Sequence, residues 1–273
     1  MQARKLSFIG AGNMPRSIIK GLVSGGYDPK LITASNPSTA KLVALKKDFG
    51  INTTQSNSEA CDKGDVVILS VKPQIMANTC ADLIDQTSLD GKIMVSIAAG
   101  ISTERLTEML GGYDKVVRTM PNTPSSLNKG MTGLYAPESV SQIDRDFVTF
   151  VMDHVGKTLW VAQDSQINTV IAAAGSSPAY VFLFAQAMQD EAIKMGLDKG
   201  AARLLVQQAI LGSAEMICHN PDLELSELRA QVTSKGGTTH EAVCTLQNNN
   251  LEAIVSKAMQ AAVARAEEMS SDF

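Results

Sequence analysis

The residues best suited to chemistry form two glycine-containing turns, one near each end of the chain. Gly10 and Gly12 flank Ala11 in a turn that follows a short apolar run and precedes a helical pattern. Glycines there let the backbone approach a pyrophosphate, whose charge is met by amide N–H groups at the helix start. Pro15 replaces the usual third glycine and suits the first turn of a helix. We interpret the turn as a dinucleotide site; the alternative is a purely structural strand-to-helix turn.

The end of the second predicted strand indicates which dinucleotide binds. NAD sites normally place Asp or Glu there to bind ribose hydroxyls, whereas residues 35–39 read Ser-Asn-Pro-Ser-Thr. This segment has no carboxylate to repel a 2′-phosphate, and Lys41 or Arg16 could add positive charge. The pattern therefore favours NADP(H), with NAD(H) possible. The alternative is that residues 35–39 form only a polar turn.

Further strand ends are expected at the same crevice, because open α/β sheets bind ligands beyond the carboxyl ends of their strands. These ends are Val71–Pro73, Ala98–Gly100 and Met120–Pro124. The small residues of Ala98–Gly100 would let a flat nicotinamide lie close to the backbone. Lys72 could reach phosphate or ribose, or could be a solvated surface lysine.

A second candidate binding turn spans residues 232–241, which read Val-Thr-Ser-Lys-Gly-Gly-Thr-Thr-His-Glu. Its glycines free the backbone to present N–H groups, and Thr238 with Glu241 is predicted to form a capping box. Because the first turn is assigned to pyrophosphate, this one is expected to hold a substrate carboxylate, near the hydroxyls of Ser234 and Thr239. The alternative is an ordinary helix cap after a glycine-rich turn.

Other chemistries lack the residues they need. The sequence has three histidines, no Ser-His-Asp context, no HExxH and no acidic cluster for a metal, so neither hydrolysis nor metal-assisted catalysis is predicted. A net charge of −4 and 4% aromatic residues disfavour nucleic acid and anionic lipid as partners. A small neutral or anionic metabolite is the expected ligand.

The order of predicted elements shows how these turns are positioned. Short β-rich runs alternate with helical stretches over residues 1–163, which predicts a Rossmann-type, doubly wound α/β domain. The predicted strands are Lys5–Ile9, Leu31–Ala34, Val66–Val71, Ile93–Ile97, Val116–Thr119, Thr132–Tyr135 and Thr158–Val161. The predicted helices between them include Arg16–Ser24, Ala40–Phe49 and Thr103–Leu110.

Residues 164–273 are predicted to form a second, all-helical domain. Its helices are expected at Ile167–Gly196, Lys199–His219 and Leu251–Met269. They are apolar around more of their circumference than so short a domain can bury alone, which predicts dimerisation.

The expected location is the cytoplasm. The start of the sequence lacks the apolar region and cleavage site of a signal peptide, and no apolar run is expected to reach the length of a membrane span. Four cysteines lie far apart without a CxxC motif, and we expect them to be buried free thiols in a reducing compartment.

Together these segments resemble the pyrroline-5-carboxylate reductase family of proline biosynthesis. The resemblance runs nearly end to end, through Phe8–Met14, Val71–Pro73, Met120–Pro124, Gly175–Tyr180 and Val232–Thr239. It implies an NADPH-dependent oxidoreductase that transfers hydride to the C5 imine carbon of 1-pyrroline-5-carboxylate and forms L-proline. It also implies an interleaved homodimer, which in the family often builds larger rings such as a decamer.

The resemblance also implies site residues. Together with the residues predicted from the motifs above, they form a cofactor-binding set and a substrate-binding set. The predicted cofactor-binding residues are Gly10, Ala11, Gly12, Asn13, Met14, Ser35, Asn36, Pro37, Asn57, Val71, Lys72, Pro73, Ala98 and Ala99. The predicted substrate-binding residues are Met120, Asp164, Ser234, Gly237, Thr238 and Thr239, with Thr239 as the catalytic residue. Two departures from the family pattern are Ser177 for a usual Gly and Lys235 for a usual Pro.

Three rival functions compete with this assignment. A β-hydroxyacid dehydrogenase would resemble a pattern with a catalytic lysine early in the helical domain, whereas this chain has no Lys or Arg between Lys157 and Lys194. A reductase of other cyclic imines shares most of the expected features. An NADP-sensing regulator on the same fold would not need the anion-binding loop Gly236–Thr239.

Overall fold

The computed structural model describes residues 3–272, in two compact units. The first unit comprises Met1–Ser176 and Ala261–Phe273, and the second comprises Ser177–Gln260. The first unit therefore continues past residue 163 and also includes the end of the last helix. The functional domain boundary between residues 163 and 164 stays a prediction.

Within the described part of the chain, eight strands form one sheet in the order β3-β2-β1-β4-β5-β6-β7-β8. They are β1 Leu6–Ile9, β2 Ile32–Ser35, β3 Asn52–Thr54, β4 Val66–Leu69, β5 Ile93–Ser96, β6 Val116–Met120, β7 Gly130–Tyr135 and β8 Gly156–Trp160. All neighbouring strands pair in parallel except β6 and β7, which are antiparallel. The order reverses between β1 and β4, which is where such sheets bind ligands. The predicted Rossmann-type α/β fold is confirmed.

The central strands are apolar at almost every position because helices cover both faces of the sheet. Along β4, Val66 and Ile68 join one core, whereas Val67 and Leu69 join the core on the opposite face. Strand residues alternate between faces, so a continuous apolar run is what a doubly covered strand requires.

The helices of the first unit are α1 Asn13–Ser24, α2 Thr39–Phe49, α3 Asn57–Lys63, α4 Met76–Gln86, α5 Thr103–Met109, α6 Gln142–Asp153 and α7 Gln166–Val170. A π-helical turn, Ile171–Gly175, follows α7, and short 3-10 helices span Pro29–Leu31, Pro73–Ile75 and Thr123–Leu127. The long helix predicted over residues 167–196 is therefore interrupted by the π turn before it resumes at Ser177.

The second unit is helical, with no strand among its described residues. Its helices are α8 Ser177–Lys194, α9 Lys199–His219, α10 Leu225–Gln231, α11 Thr238–Asn248 and the first part of α12 Leu251–Asp272. Within residues 177–260, which are all described, only Ala202, Val206 and Leu228 are buried. Large apolar side chains such as Phe182 and Leu183 are 67% and 70% exposed. Most of the apolar surface of this unit has no partner within the single chain.

One helical stretch, Gln166–Lys194, is long and apolar enough to cross a membrane by length and composition. This contradicts the expectation that no apolar run reaches such a length. The observation is weak evidence for a span, because core helices of water-soluble proteins pass the same test.

The four cysteines are free thiols. Cys61 and Cys80 are buried, as expected, whereas Cys218 is exposed and Cys244 is partly buried. The expectation of four buried thiols is therefore wrong for the two cysteines of the second unit.

Candidate active site

The turn after β1 requires glycine at its first position. Gly10 has a φ of +109°, and a Cβ there would lie 2.7 Å from the carbonyl oxygen of Ser70. The Ser70 hydroxyl lies within hydrogen-bond distance of the Ile9 and Gly10 carbonyl oxygens, at 2.9 and 3.0 Å. Ser70 therefore ties the end of β4 to the turn. Sequence reasoning missed Ser70 because a serine after an apolar run carries no distinctive signal.

Gly12 is the N-cap of α1, and no side chain caps this helix start. The first turn of α1, which includes Asn13 and Met14, contains no acidic residue. The leading N–H groups of a helix lack intrahelical partners. They are therefore available for an anion, and the positive end of the helix dipole favours one.

Two residues at the end of β2 build the adjoining loop. Asn36 accepts a hydrogen bond from the Ala11 amide at 3.3 Å and donates one to the Ser38 carbonyl oxygen at 3.2 Å. Ser35 is fully buried, and its hydroxyl donates to Asn57 Oδ1 at 2.8 Å. The Ser35 hydroxyl is therefore bonded within the chain in this structure, and the predicted cofactor contact of Ser35 stays a prediction. The exposed residues at this strand end are Pro37, Ser38 and Thr39.

The two cations suggested for a 2′-phosphate differ in availability. Arg16 forms an ion pair with Asp48 at 2.6 Å and stacks over the Phe49 ring, 5.0 Å from its centroid. Its charge is already balanced. Lys41 is exposed on α2 and is the better placed of the two.

The ends of β4 and β5 complete this edge of the first unit. Lys72 is exposed at the start of the 3-10 helix that begins with Pro73, and Val71 is half-buried beside it. Ala98 is buried and Ala99 half-buried, so of these two alanines mainly Ala99 is accessible at the end of β5. Gly100 has a φ of +78°, and a Cβ there would lie 3.0 Å from Met269 Cβ of α12.

The end of β6 is fixed by Asn122. Its side chain accepts from the Met131 amide and donates to the Ala174 carbonyl oxygen, each at 2.9 Å. Met120 packs on Gly175, where an added Cβ would lie 2.9 Å from Met120 Cε. Gly175 ends the π turn, and such turns are frequent at functional sites. The sequence motif Met120–Pro124 contains Asn122, but its bridging role depends on a long-range contact.

Asp164 faces a cation of its own chain. Both of its carboxylate oxygens accept hydrogen bonds from one Arg118 nitrogen, at 3.0 and 2.9 Å. Arg118 is the one charged residue in β6 and is almost wholly buried. The predicted substrate contact of Asp164 stays a prediction, and the observed partners of its carboxylate are Arg118 and the Thr103 amide.

The candidate anion turn of the second unit has an open helix start. Gly237 is the N-cap of α11, no side chain caps this helix, and Gly236 has a φ of +72°. The predicted capping box of Thr238 with Glu241 is therefore wrong, because the helix begins one residue earlier than that motif requires. Thr238 and Thr239 occupy its first two positions, and their side chains are exposed.

Ser234 closes the same turn through its backbone. Its carbonyl oxygen accepts from the Gly237 amide at 3.0 Å. A Cβ at Gly237 would lie 2.6 Å from Ser234 Oγ, so glycine leaves room for this hydroxyl beside the helix start. Lys235 is exposed. The structure therefore brings together Ser234, Gly237, Thr238 and Thr239 in the second unit.

These features define a class of protein. The first unit is a Rossmann-type dinucleotide-binding unit. The carboxyl ends of its strands β1, β2, β4 and β5 lead into Gly10–Met14, Asn36–Pro37, Val71–Pro73 and Ala98–Ala99. A helical unit with a second uncapped helix start follows it. The class is a dinucleotide-dependent oxidoreductase with an appended helical domain.

Comparisons with known proteins identify the family. Residues 5–100 match the family model described as NADP oxidoreductase coenzyme F420-dependent, and residues 164–269 match the model described as pyrroline-5-carboxylate reductase dimerisation. A pyrroline-5-carboxylate reductase of Vibrio alginolyticus is 56% identical over 100% of both chains, and one of Haemophilus influenzae is 43% identical over 100% of both. The chain belongs to the pyrroline-5-carboxylate reductase family, which confirms the resemblance drawn from its motifs.

Solved structures agree with this assignment. A pyrroline-5-carboxylate reductase from Coxiella burnetii has a TM-score of 0.93 at 40% identity and covers 98% of this chain and 99% of its own. A pyrroline carboxylate reductase from Plasmodium falciparum, solved with NADP bound, has a TM-score of 0.87 at 28% identity and covers 99% of each chain. A 3-hydroxyisobutyrate dehydrogenase of Mycobacterium tuberculosis has a TM-score of 0.52 at 16% identity, a likeness of fold alone.

Proposed function

We propose that this protein reduces 1-pyrroline-5-carboxylate to L-proline with NADPH, the last step of proline biosynthesis. The observation that carries this function is the full-length identity of 56% to a relative named for the reaction. Two uncapped helix starts that follow glycine-containing turns, at Gly12 and Gly237, offer amide N–H groups to the two anionic ligands.

The first unit fits a dinucleotide on its own geometry. A side chain at Gly10 would collide with Ser70, and the amides at the start of α1 have no side-chain cap. We assign the pyrophosphate to Gly10–Met14, and the 2′-phosphate to the exposed residues 37–39 with Lys41. Ala98 and Ala99 would border the nicotinamide. Reduced nicotinamide, when bound, supplies the hydride that adds to the C5 carbon of the substrate C=N bond.

The turn before α11 is proposed to hold the substrate. The amides of Thr238 and Thr239 at the start of the helix would bind the carboxylate, with the Ser234 hydroxyl beside them. The Thr239 hydroxyl is proposed to hydrogen-bond the ring nitrogen, which takes its proton from solution. Reduction of an iminium needs no strong side-chain base. Catalysis is then mostly positioning, an effect that supplies several kcal/mol of barrier lowering.

The second unit is proposed to form a homodimer through its exposed apolar helices. Residues 164–269 match a dimerisation domain, and Phe182 and Leu183 are among the apolar side chains that a partner would cover. The decamer implied by the family resemblance is a further proposal, as is a cytoplasmic location.

The experiment is a pair of coupled assays on the purified full chain. Oxidation of NADPH, followed by absorbance, is expected to start when pyrroline-5-carboxylate is added, with L-proline as the product. NADPH is expected to give a kcat/KM about tenfold or more above that of NADH, a difference of about 1.4 kcal/mol. If neither NADPH nor NADH supports turnover, the reductase assignment is refuted. Equal kcat/KM values would refute the assignment of residues 37–39 and Lys41 to the 2′-phosphate.

A further inference from the structure

The first unit contains a largely buried ion pair whose arginine has no part in the proposed reaction. Arg118 in β6 is 3% exposed and Asp164 is 20% exposed, and the two side chains meet at 2.9 Å. Replacing such a pair by apolar residues of similar volume is often neutral or stabilising, because desolvation offsets the Coulomb attraction. Fold stability alone therefore gives little reason for an arginine in this strand.

The ion pair joins segments that are distant along the chain. Arg118 also reaches Asn168 Oδ1 in α7 at 3.3 Å. Asp164 in turn accepts from the Thr103 amide at 3.4 Å, at the start of α5. The Arg118–Asp164–Asn168 cluster thus ties β6 to α7 and to the segment that follows β5.

Two of these three segments lead directly to a predicted site residue. Met120 lies two positions after Arg118 on the same strand, and Ala99 lies four positions before Thr103. The turn after α7 is tied to β6 a second time, because Asn122 donates to the Ala174 carbonyl oxygen. A shift of Arg118 would therefore move the end of β6 relative to the segment after β5.

The cluster also leaves one polar atom without a partner. Arg118 Nε is buried and makes no hydrogen bond to any described residue. A buried donor without an acceptor costs free energy. An apolar residue would avoid this cost, so the arginine favours a fixed geometry at the expense of stability.

We infer that Arg118 is a positioning residue of the reductase reaction, and that Asp164 acts through Arg118 and not as a ligand of the substrate. This inference rests on the proposed function. It assigns the Arg118–Asp164–Asn168 cluster the task of holding Met120 and Ala99 in the arrangement that hydride transfer needs.

Four single variants of the full-length protein test the inference. Asp164→Asn removes the charge that faces Arg118, and Asn168→Ala removes only the third member and leaves the ion pair. Asn168→Asp keeps an acceptor for Arg118 and serves as the conservative rescue. Glu108→Gln, which breaks an exposed ion pair with Arg105 on α5, is the matched control.

The readouts are kcat, the KM for pyrroline-5-carboxylate, the Kd for NADPH and the melting temperature. Asp164→Asn is expected to lower kcat about tenfold or more and Asn168→Ala about threefold, because small misplacements of reacting groups are costly. Substrate KM and NADPH Kd are expected to stay within about twofold of wild type. Asn168→Asp and Glu108→Gln are expected to keep the wild-type kcat.

Three results would overturn the inference. A rise in substrate KM with unchanged kcat in Asp164→Asn would make Asp164 a substrate ligand. A lower melting temperature with unchanged kcat in both Asp164→Asn and Asn168→Ala would make the cluster merely structural. Equal loss of kcat in Asn168→Asp and Asn168→Ala would show that the hydrogen bond from Arg118 to the side chain at position 168 does not determine kcat. Absence of turnover by the wild-type protein is a separate outcome, which refutes the proposed function and the inference with it.

Discussion

Replacement of Gly10 by alanine is expected to damage both the fold and the nucleotide site. A φ of +109° costs an L-residue about 1–3 kcal/mol. The added methyl would lie 2.7 Å from the Ser70 carbonyl oxygen and 3.0 Å from its carbonyl carbon. These backbone atoms belong to the chain leaving β4 and cannot rotate away, and forcing an extra methyl into a packed site costs about 1–3 kcal/mol. After partial relaxation, we expect a loss of about 3 kcal/mol in the free energy of unfolding.

Gly12→Ala is the matched control, because the same methyl group meets different surroundings. Gly12 has a φ of −78°, and the nearest atom to an added Cβ is Pro15 Cδ at 3.9 Å. The alanine is a poorer N-cap than glycine but lowers the entropy of the unfolded chain, and these effects are of similar size. We expect the free energy of unfolding to change by less than about 0.5 kcal/mol. Its methyl would occupy the open space at the helix start, so NADPH is expected to bind about tenfold more weakly.

The assay is urea unfolding at one fixed protein concentration, together with NADPH titration by fluorescence. Equal stability of Gly10→Ala and Gly12→Ala would refute the argument from φ and from the Ser70 contact. Wild-type NADPH affinity in Gly12→Ala would place the pyrophosphate elsewhere.

Further experiments test other parts of the molecule. Thr239→Ala is expected to slow turnover with NADPH Kd nearly unchanged; weakened NADPH binding in this variant would contradict a substrate role. Ser38→Asp places a carboxylate at the exposed N-cap of α2, where it would repel the 2′-phosphate of NADPH. The kcat/KM is therefore expected to fall about tenfold for NADPH and little for NADH. Equal losses for the two nucleotides would argue against a 2′-phosphate at this strand end. Burial raises the pKa of Cys80 from 9.0 to about 12, so its thiol is expected to resist a disulfide reagent at pH 8 while exposed Cys218 reacts, and prompt labelling of Cys80 would contradict the packing. The same raised pKa means that stability is fully present below pH 9.0 and is lost between pH 9.0 and about 12, where only the unfolded thiol ionises, as pH-dependent unfolding would show.

The sequence predicts best where a local pattern determines the outcome. All seven predicted strands lie within about two residues of observed ones, because short runs rich in β-branched and other apolar residues mark them in the sequence. The missed strand is β3, at the edge of the sheet. Its sequence is Asn-Thr-Thr and none of its residues is buried, so its pairing with β2 supplies the only signal.

The candidate site was predictable where it depends on glycines and less so where it depends on distant partners. The turn at Gly10 is visible in the sequence, whereas its contact with Ser70 joins residues sixty positions apart. Arg118 stands out only as one charge within an apolar strand, and nothing local pairs it with Asp164. The predicted capping box is wrong although Thr238 and Glu241 have the right residue types and spacing. The N-cap of the helix is Gly237, which has no side chain to accept a hydrogen bond.

The first compact unit is discontinuous along the chain, since it contains residues up to Ser176 and again from Ala261 onward. Synthesis on the ribosome is vectorial, and amino-terminal domains generally fold first. Here the segment after β5 gains its contact between Gly100 and Met269 only when the end of α12 has been made. The nucleotide-binding unit is therefore complete only after translation has passed through the entire helical unit.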